Sequence, residues 1–245
     1  KLLFLYIPDL MVAAINQLTF VPGLSDDPIF DWIRTRKVIY IPKKHPASTP
    51  SDYRPLSMLE VLYKIPSRVL SRRLTEVLPD VISPNQHGFM KGKGIQEPIL
   101  IATHCIQDAN RRDRPLQLLS FDLEKAFDRV SHLIIIQALL QFGIPPILVQ
   151  AISRLALIGF AKVEVNGRSG ILFLIKTGSG QGDPLSSILF LFATEPLNRA
   201  INQLLQHSFY VLENGYAPGA IFFADDNLTY TNMPNIDSFL AIRSL

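Results

Sequence analysis

The sequence has almost no cysteine and lacks a long apolar run. Its single cysteine, Cys105, excludes an internal disulfide framework and a cysteine-rich zinc site, and a lone cysteine beside Ile106 is typical of a buried apolar side chain. The first 20 residues are fairly apolar, but polar residues and Pro8 interrupt them, and no other stretch reaches the roughly 18 apolar residues of a membrane span. We therefore expect a soluble, intracellular protein without a clear targeting signal and without a membrane partner.

Charged residues are distributed unevenly along the 245-residue chain. The net charge is +3, yet residues 34–114 carry fifteen Lys and Arg against seven Asp and Glu, and the remainder carries nine against fourteen. A basic surface attracts polyphosphates, whereas an acidic pocket binds divalent cations. By itself, the basic region is as consistent with a solvated face as with nucleic-acid binding.

Apolar residues recur with helical spacing in some segments and with strand-like spacing in others. Helices are predicted at residues 10–18, 58–78, 96–110, 131–142, 147–158 and 184–205, and strands at residues 37–41, 116–121, 161–165, 170–175, 220–224 and 228–230. A tight turn is predicted at Asn166-Gly167. Pro66 should perturb the second helix, and Pro184 should be the first residue of the last one. Long helices among short strands in this mixed order favour an α+β fold over a doubly wound sheet.

Two adjacent carboxylates, Asp225 and Asp226, are predicted at the turn between the last two strands. The preceding residues, Phe222-Phe223-Ala224, are apolar, so both carboxylates should project from a turn between largely buried strands. Desolvation and mutual repulsion raise the free energy of the ionised pair unless a cation neutralises it. Hard oxygen ligands with little histidine nearby favour Mg²⁺ or Mn²⁺ over zinc. An ordinary Asp-rich turn is the alternative interpretation.

A third carboxylate, Asp122, also ends an apolar strand. Two such strand ends can converge on one metal cluster, and phosphoryl transfer from a nucleoside triphosphate needs two cations, one lowering the pKa of the attacking 3′-hydroxyl and one neutralising the leaving pyrophosphate. Three carboxylates are enough to hold both ions. Asp128 precedes a predicted helix, so it is more simply interpreted as a helix N-cap than as a metal ligand.

These acidic residues lie in motifs that resemble the reverse transcriptases of non-LTR (LINE-type) retrotransposons. The palm motifs are Phe121-Asp122-Leu123-Glu124-Lys125-Ala126-Phe127-Asp128, then Gly178 to Pro184 with Leu185-Ser186, and Phe223-Ala224-Asp225-Asp226. Segments that look like fingers motifs precede them: Ile41-Pro42-Lys43-Lys44, Tyr53-Arg54-Pro55-Leu56-Ser57, Leu62-Tyr63-Lys64-Ile65 and Ser83-Pro84-Asn85-Gln86-His87-Gly88-Phe89. Each motif alone is modestly specific, but their ordered combination over residues 37–231 is highly specific.

The resemblance implies the fingers and palm of a right-hand polymerase, with an antiparallel palm sheet packed on helices. Residues 1–115 would form an N-terminal extension and the fingers. Residues 116–245 would form the palm, with a fingers-side helix and hairpin at about 145–177. Because no thumb sequence follows, we expect the chain to be a fragment.

The implied activity is RNA-directed DNA synthesis, in which two Mg²⁺ or Mn²⁺ ions assist nucleotidyl transfer from a dNTP to a primer 3′-hydroxyl. The implied partners are an RNA template, a DNA primer and the element RNA in a ribonucleoprotein, in the nucleus and cytoplasm if the host is eukaryotic.

Family roles carry over to eight positions. Asp122, Asp225 and Asp226 match the catalytic metal ligands. Arg54 matches a residue that grips the triphosphate, with assistance from Lys43 or Lys44, although these lysines also fit a solvated strand end. Phe127 matches the position that stacks under the incoming sugar and excludes a 2′-hydroxyl, with a core phenylalanine as the alternative. Gln181 and Gly182 match the loop that contacts the incoming nucleotide and the template.

The sequence departs from the family pattern at Asn227, where a threonine or another small residue is common, and at Pro66 inside the fingers helix. Since neither position is expected to touch a catalytic carboxylate, both differences are interpreted as tuning or drift.

Three other interpretations of these motifs are considered. A group II intron maturase has the same carboxylates, but Phe223 in place of tyrosine and Glu124 to Phe127 favour the non-LTR family. A viral RNA-dependent RNA polymerase would have glycine in place of Ala224. A catalytically silent relic that binds RNA remains an alternative, although the three intact aspartates argue against it.

Overall fold

The computed structural model describes Asn16 and residues 28–123 and 125–232. Among these, residues up to Arg73 together with Phe127–Leu189 form one compact unit, and Leu74–Ala126 together with residues from Phe190 onward form another. We call them the mixed-sheet unit and the acidic-hairpin unit. The predicted boundary between fingers and palm at residues 115 and 116 stays a prediction. Except for Asn16, which is helical, the helix predicted at residues 10–18 lies outside the described residues.

In the described residues, helices and short strands alternate as the sequence predicts. The helices are α1 Pro28–Arg34, α2 Val61–Val81, α3 Gln96–Arg112, α4 Ala126–Arg129, α5 His132–Gln141, α6 Pro146–Ile152 and α7 Ser186–Leu205. The strands are β1 Arg36–Pro42, β2 Tyr53–Met58, β3 Gln117–Phe121, β4 Phe160–Val165, β5 Arg168–Ser169, β6 Phe173–Leu174, β7 Ala220–Phe223 and β8 Asp226–Thr231. None of these helices combines the length and apolarity needed to cross a membrane.

The mixed-sheet unit is built on strands β2, β1, β4 and β5 in that order, with β6 also paired to β4. Strand β1 is antiparallel to β2 and parallel to β4. The predicted hairpin turn is confirmed, because Asn166 and Gly167 have φ values of 50° and 73° and connect β4 to β5.

The acidic-hairpin unit has the antiparallel strand order β3, β8, β7. One hydrophobic cluster packs Ile201 and Leu205 of α7 against Ala220 and Phe222 of β7. A second cluster, which includes Cys105 of α3, packs the aromatic and aliphatic side chains Tyr210, Leu212, Ile221 and Tyr230. The predicted antiparallel sheet packed on helices is therefore confirmed. Burial also raises the pKa of the Cys105 thiol to about 11, which agrees with its predicted role as an apolar core residue.

Several element boundaries differ from the sequence predictions. The helix predicted from residue 58 begins at Val61, because Met58 is the last residue of β2. Strand β2 was not predicted, and it contains Pro55, which an edge strand tolerates because it needs fewer backbone donors. Pro66 does not interrupt α2. Helix α6 ends at Ile152 and continues as a π-helical turn, Ser153–Leu157.

Candidate active site

Strand pairing brings the three predicted catalytic carboxylates to one end of the antiparallel sheet. Phe121, the last residue of β3, pairs with Asn227 of β8, so Asp122 follows the end of β3 at the same end of the sheet where Asp226 begins β8. Asp226 also pairs with Phe223, which leaves Ala224 and Asp225 as the two residues of the β7–β8 turn. Asp122 and Asp226 are exposed, and Asp225 is half-buried.

The carboxylates influence one another electrostatically. Partial desolvation raises the pKa of Asp226 above its ordinary value although the residue is largely exposed, and the neighbouring charges of Asp225 and Asp122 raise this pKa further. A raised carboxyl pKa means that the ionised form is less stable here than in water, so a bound cation would stabilise it. The charges of Asp225 and Asp122 therefore both act on Asp226.

The donor chemistry of this cluster fits a hard divalent cation, since it consists of carboxylate oxygens. Within residues 28–123 and 125–232, however, no three His, Cys, Asp or Glu side chains are placed closely enough to form a preassembled metal site. Asp122, Asp225 and Asp226 would therefore have to change side-chain rotamers to share an ion. Reverse transcriptases generally use a divalent metal.

Asn227 has a specific contact that the sequence did not reveal. Its side chain is 6 % exposed, and its Nδ2 donates a hydrogen bond to the Phe121 carbonyl at 2.8 Å. Because Phe121 immediately precedes Asp122, this bond ties the acidic hairpin to the strand end that carries the third carboxylate. Asn227 therefore has a structural role beside the site, while its interpretation as tuning or drift stays a prediction.

Asp128 is not the N-cap that the sequence predicted. It lies inside α4, whereas Ser131 occupies the N-cap position of α5. The Asp128 carbonyl accepts a hydrogen bond from the Thr177 hydroxyl at 3.0 Å. The error arose because the short helix α4 was not predicted.

The loop that contains Gln181 and Gly182 is held against β2 in the mixed-sheet unit. The Gln181 carbonyl accepts a hydrogen bond from the Ser57 amide at 2.7 Å. Gly182 has a φ of 111°, and a Cβ atom there would lie 2.6 Å from the Ser57 carbonyl oxygen. Both the left-handed backbone and the close approach require glycine at this position.

Asp183 anchors the same loop through a buried hydrogen-bond network. Its carboxylate accepts hydrogen bonds from the Tyr63 and Ser67 hydroxyls of α2 and from the Leu185 amide. Burial and the neighbouring Asp183 charge raise the pKa of Tyr63 well above its ordinary value, so Tyr63 remains a proton donor. The Gln-Gly-Asp-Pro motif therefore has an anchor, Asp183, that sequence reasoning did not assign.

A cavity of about 130 Å³ lies beside this loop within the mixed-sheet unit. Its lining includes Arg36, Ser57, Asp128, Gly180 and Gln181. Pockets that enclose a whole small ligand usually measure about 300–1,000 Å³. The cavity is therefore too small to enclose a whole small ligand.

The other predicted substrate residues also lie in the mixed-sheet unit. Arg54 is exposed on β2 opposite Ile41, and Lys43 is exposed just after β1. Lys44 forms an ion pair with Asp52 at 2.8 Å, so of the two lysines Lys43 is the better candidate for a phosphate contact. Phe127 is half-buried in α4, and its carbonyl accepts a hydrogen bond from the Ser179 amide at 3.1 Å.

Asp52 organises the turn between β1 and β2. The Lys44 ammonium and the backbone amides of Thr49 and Ser48 hold the pKa of Asp52 well below its ordinary value of 3.8. A depressed folded-state pKa stabilises the fold above pH 3.8, and this stabilisation is lost as the pH falls through the folded value.

We expect Asp52→Asn to lower the melting temperature at pH 7, with a difference from wild type that shrinks steadily below pH 3.8. Thermal unfolding followed by circular dichroism between pH 7 and pH 3 measures it, and Asp80→Asn on the exposed side of α2 is the control. A difference that is the same at both ends of this pH range would contradict the role of Asp52.

Comparison with known proteins shows which family the chain resembles. The family described as reverse transcriptase (RNA-dependent DNA polymerase) matches residues 41–242. The chain is similar to the transposon TX1 uncharacterized 149 kDa protein of Xenopus laevis, with 31 % identity over 76 % of this chain and 15 % of that protein. It is also similar to the Pol polyprotein of the type-2 retrotransposable element R2DM of Drosophila melanogaster, with 30 % identity over 69 % of this chain and 16 % of that protein.

Solved structures show the same fold at low identity. Apo telomerase from Candida tropicalis, truncated from its C-terminal domain, aligns with a TM-score of 0.58 and 13 % identity over 87 % of this chain and 46 % of that chain. Telomerase from Candida albicans aligns with a TM-score of 0.55 over 100 % of this chain and 44 % of that chain.

The chain has the α+β fold of the polymerases to which these structures belong. More specifically, the chain belongs to the reverse transcriptase family, and the predicted resemblance to the enzymes of non-LTR retrotransposons is confirmed. The group II intron alternative is not better supported. The chain spans about one sixth of the length of the two curated relatives.

Proposed function

We propose that the protein containing this chain is the RNA-directed DNA polymerase of a retroelement. The observation that supports this most strongly is the register of β3, β8 and β7, because it brings the end of β3, which Asp122 follows, to the end of the sheet where Asp225 and Asp226 lie. In the proposed reaction, a primer 3′-oxygen attacks the α-phosphorus of a dNTP, a phosphodiester bond forms, and the bond to pyrophosphate breaks.

Asp122, Asp225 and Asp226 would hold two Mg²⁺ or Mn²⁺ ions. When bound, such ions make the 3′-hydroxyl more acidic and neutralise charge on the pyrophosphate. The protein positions its three carboxylates by antiparallel strand pairing, and the Asn227 hydrogen bond to Phe121 fixes the strand end beside them.

The substrate contacts are assigned to the mixed-sheet unit. Exposed Arg54 has the planar, multidentate donor geometry that suits a triphosphate, and exposed Lys43 supplies a second cation. Gln181 and Gly182 would contact the nucleotide and the template, since their loop is fixed to Ser57 and lines the neighbouring cavity. Phe127 would lie under the sugar and exclude ribonucleotides.

The proposed partners are an RNA template, a DNA primer and the element RNA in a ribonucleoprotein. The basic region at residues 34–114, with its excess of eight positive charges, supports phosphate binding. A retroelement polymerase acts where element RNA and target DNA occur, so we place it in the nucleus and cytoplasm if the host is eukaryotic.

We expect the whole protein to extend a DNA primer on an RNA template when dNTPs and Mg²⁺ or Mn²⁺ are supplied, and to stop when EDTA removes the metal. Gel analysis of a labelled primer measures the extension. Matched reactions with ribonucleotides, and with no template, are the controls. Absence of template-directed extension with either metal, in a protein shown to be folded, would contradict the proposed function.

A further inference from the structure

The segment Asn85–Gly88 lies along β7 as an additional backbone pairing partner of the acidic hairpin. Gln86 and Phe222 form a parallel bridge, in which the His87 amide donates to the Phe222 carbonyl at 2.7 Å and the Phe222 amide donates to the Asn85 carbonyl at 2.9 Å. Lys93 also holds the segment, because its Nζ donates a hydrogen bond to the Gln86 carbonyl at 3.0 Å. The segment is therefore a rigid support beside the strand that leads into the turn.

The Gln86 side chain extends from this support to the turn itself. Its Oε1 accepts hydrogen bonds from the Gly88 amide at 2.8 Å and from the Ala224 amide at 3.1 Å, and its Nε2 lies 3.5 Å from the Ala224 carbonyl oxygen as a donor. The residue is only 3 % exposed. One buried amide thus satisfies both backbone polar groups of Ala224, the residue immediately before Asp225.

Ala224 needs such support because its backbone is strained. Its φ is 59°, in the left-handed region that side chains other than glycine rarely adopt. A strained conformation of this kind persists only when surrounding contacts determine it. The two Gln86 contacts act on the peptide groups on both sides of the strained residue, so they fix the direction in which Asp225 leaves the turn.

We propose that Gln86 is a positioning residue for the catalytic carboxylates, acting through the Ala224 backbone. This rests on the proposed function, since it assigns Asp225 and Asp226 to metal binding. A loss of the Gln86 amide should let the turn relax, which would displace the two carboxylates from the geometry in which they share an ion with Asp122. Small displacements of catalytic groups have large kinetic effects.

The test compares Gln86→Met, which keeps the side-chain length and removes the amide, with Gln107→Met on the exposed surface of α3. We expect Gln86→Met to reduce kcat for primer extension by about 10–100-fold, as supporting groups around metal ligands typically do, and to weaken Mn²⁺ binding by a similar factor. The KM for dNTP should change by less than about threefold, because the residues proposed to bind dNTP belong to the mixed-sheet unit, whereas Gln86 belongs to the acidic-hairpin unit. Both proteins are measured at a temperature where circular dichroism shows them fully folded.

A second substitution separates positioning from simple packing. Glycine adopts a positive φ without strain, so Ala224→Gly in the Gln86→Met protein should recover part of the lost kcat and Mn²⁺ affinity. A double variant as impaired as Gln86→Met would overturn the assignment, because the amide would then not act through the backbone of residue 224. The assignment is also overturned if Gln86→Met and Gln107→Met have the same kcat and the same Mn²⁺ affinity.

Mn²⁺ binding is measured directly by electron paramagnetic resonance, without turnover. This measurement distinguishes failure of the proposed function from failure of the role assigned to Gln86. A wild-type protein that binds Mn²⁺ but does not extend primers contradicts the proposed function and leaves the Gln86 comparison intact. A wild-type protein that extends primers, with an unaffected Gln86→Met variant, contradicts only the role of Gln86.

Discussion

We expect Asp225→Ala to abolish primer extension, with a fall in kcat of at least ~10³-fold, comparable to the roughly 10³–10⁵-fold contribution of a single charge-stabilising group in phosphoryl transfer. Asp225 occupies the β7–β8 turn beside Asp226, and Asp122 follows the end of β3 at the same end of the sheet. In the proposed site, removing one of the three carboxylates would leave too few oxygen ligands for two ions. The loss should therefore appear in kcat more than in the KM for dNTP.

The control for this prediction is Asp80→Ala, which removes a carboxylate from the exposed surface of α2 in the acidic-hairpin unit. We expect it to extend primers at the wild-type rate. Single-turnover primer extension with saturating dNTP measures both variants. Extension by Asp225→Ala at more than a tenth of the wild-type rate would show that Asp225 is an ordinary turn residue.

Gly88→Ala should have the second-largest effect, on both stability and catalysis. A Cβ atom at residue 88 would collide with the Ala224 amide nitrogen and lie 2.8 Å from the Ala224 Cα and 2.9 Å from the Phe223 carbonyl carbon. All three are backbone atoms of the acidic hairpin, so no side-chain rotation can relieve the clash. Overpacking of this kind costs about 1–3 kcal/mol, and a displacement of catalytic groups by roughly 1 Å reduces the rate about 10²-fold.

Gly94→Ala in the same loop is the matched control. A Cβ atom there meets only the flexible end of the Gln96 side chain. We expect Gly94→Ala to retain the wild-type kcat and melting temperature. Gly88→Ala should have a lower kcat and a lower melting temperature. Equal kcat for the two variants would show that the turn does not depend on the close approach of residue 88.

The acidic hairpin could be predicted from sequence because its signals are local. Short apolar segments end directly in Asp122 and Asp225, and the structure places strands β3, β7 and β8 within one or two residues of the predicted positions. Apolar runs bounded by polar turn residues suffice to locate strands of this length. The convergence of the strand ends was inferred from the chemistry of the three carboxylates, and the β3–β8 register supports it.

The supports of the hairpin could not be predicted in the same way. Gln86 acts on Ala224, and Asn227 on Phe121, across large sequence separations that only the folded structure reveals. Residues 83–89 were recognised as a motif, but their resemblance gave no role to Gln86. Likewise, β2 contains a proline and was missed, because its position at the sheet edge depends on pairing with β1.

The Lys43-Lys44 pair shows the same limitation on a smaller scale. Two adjacent lysines after a strand are equivalent in sequence, whereas the structure engages Lys44 with Asp52 and leaves Lys43 exposed. The choice between them depends on the turn that Asp52 organises. A periodicity argument contains no information about that turn.

The most direct test of the central claim, that Asp122, Asp225 and Asp226 form one cation site, is Mn²⁺ affinity measured by electron paramagnetic resonance on wild type and Asp225→Ala. Both proteins are compared at the same folded fraction and pH, with Asp80→Ala as the control. We predict that Asp225→Ala binds Mn²⁺ at least about tenfold more weakly than wild type, since even groups that only support a metal ligand contribute that much. Equal Mn²⁺ affinities for wild type, Asp225→Ala and Asp80→Ala would contradict the claim.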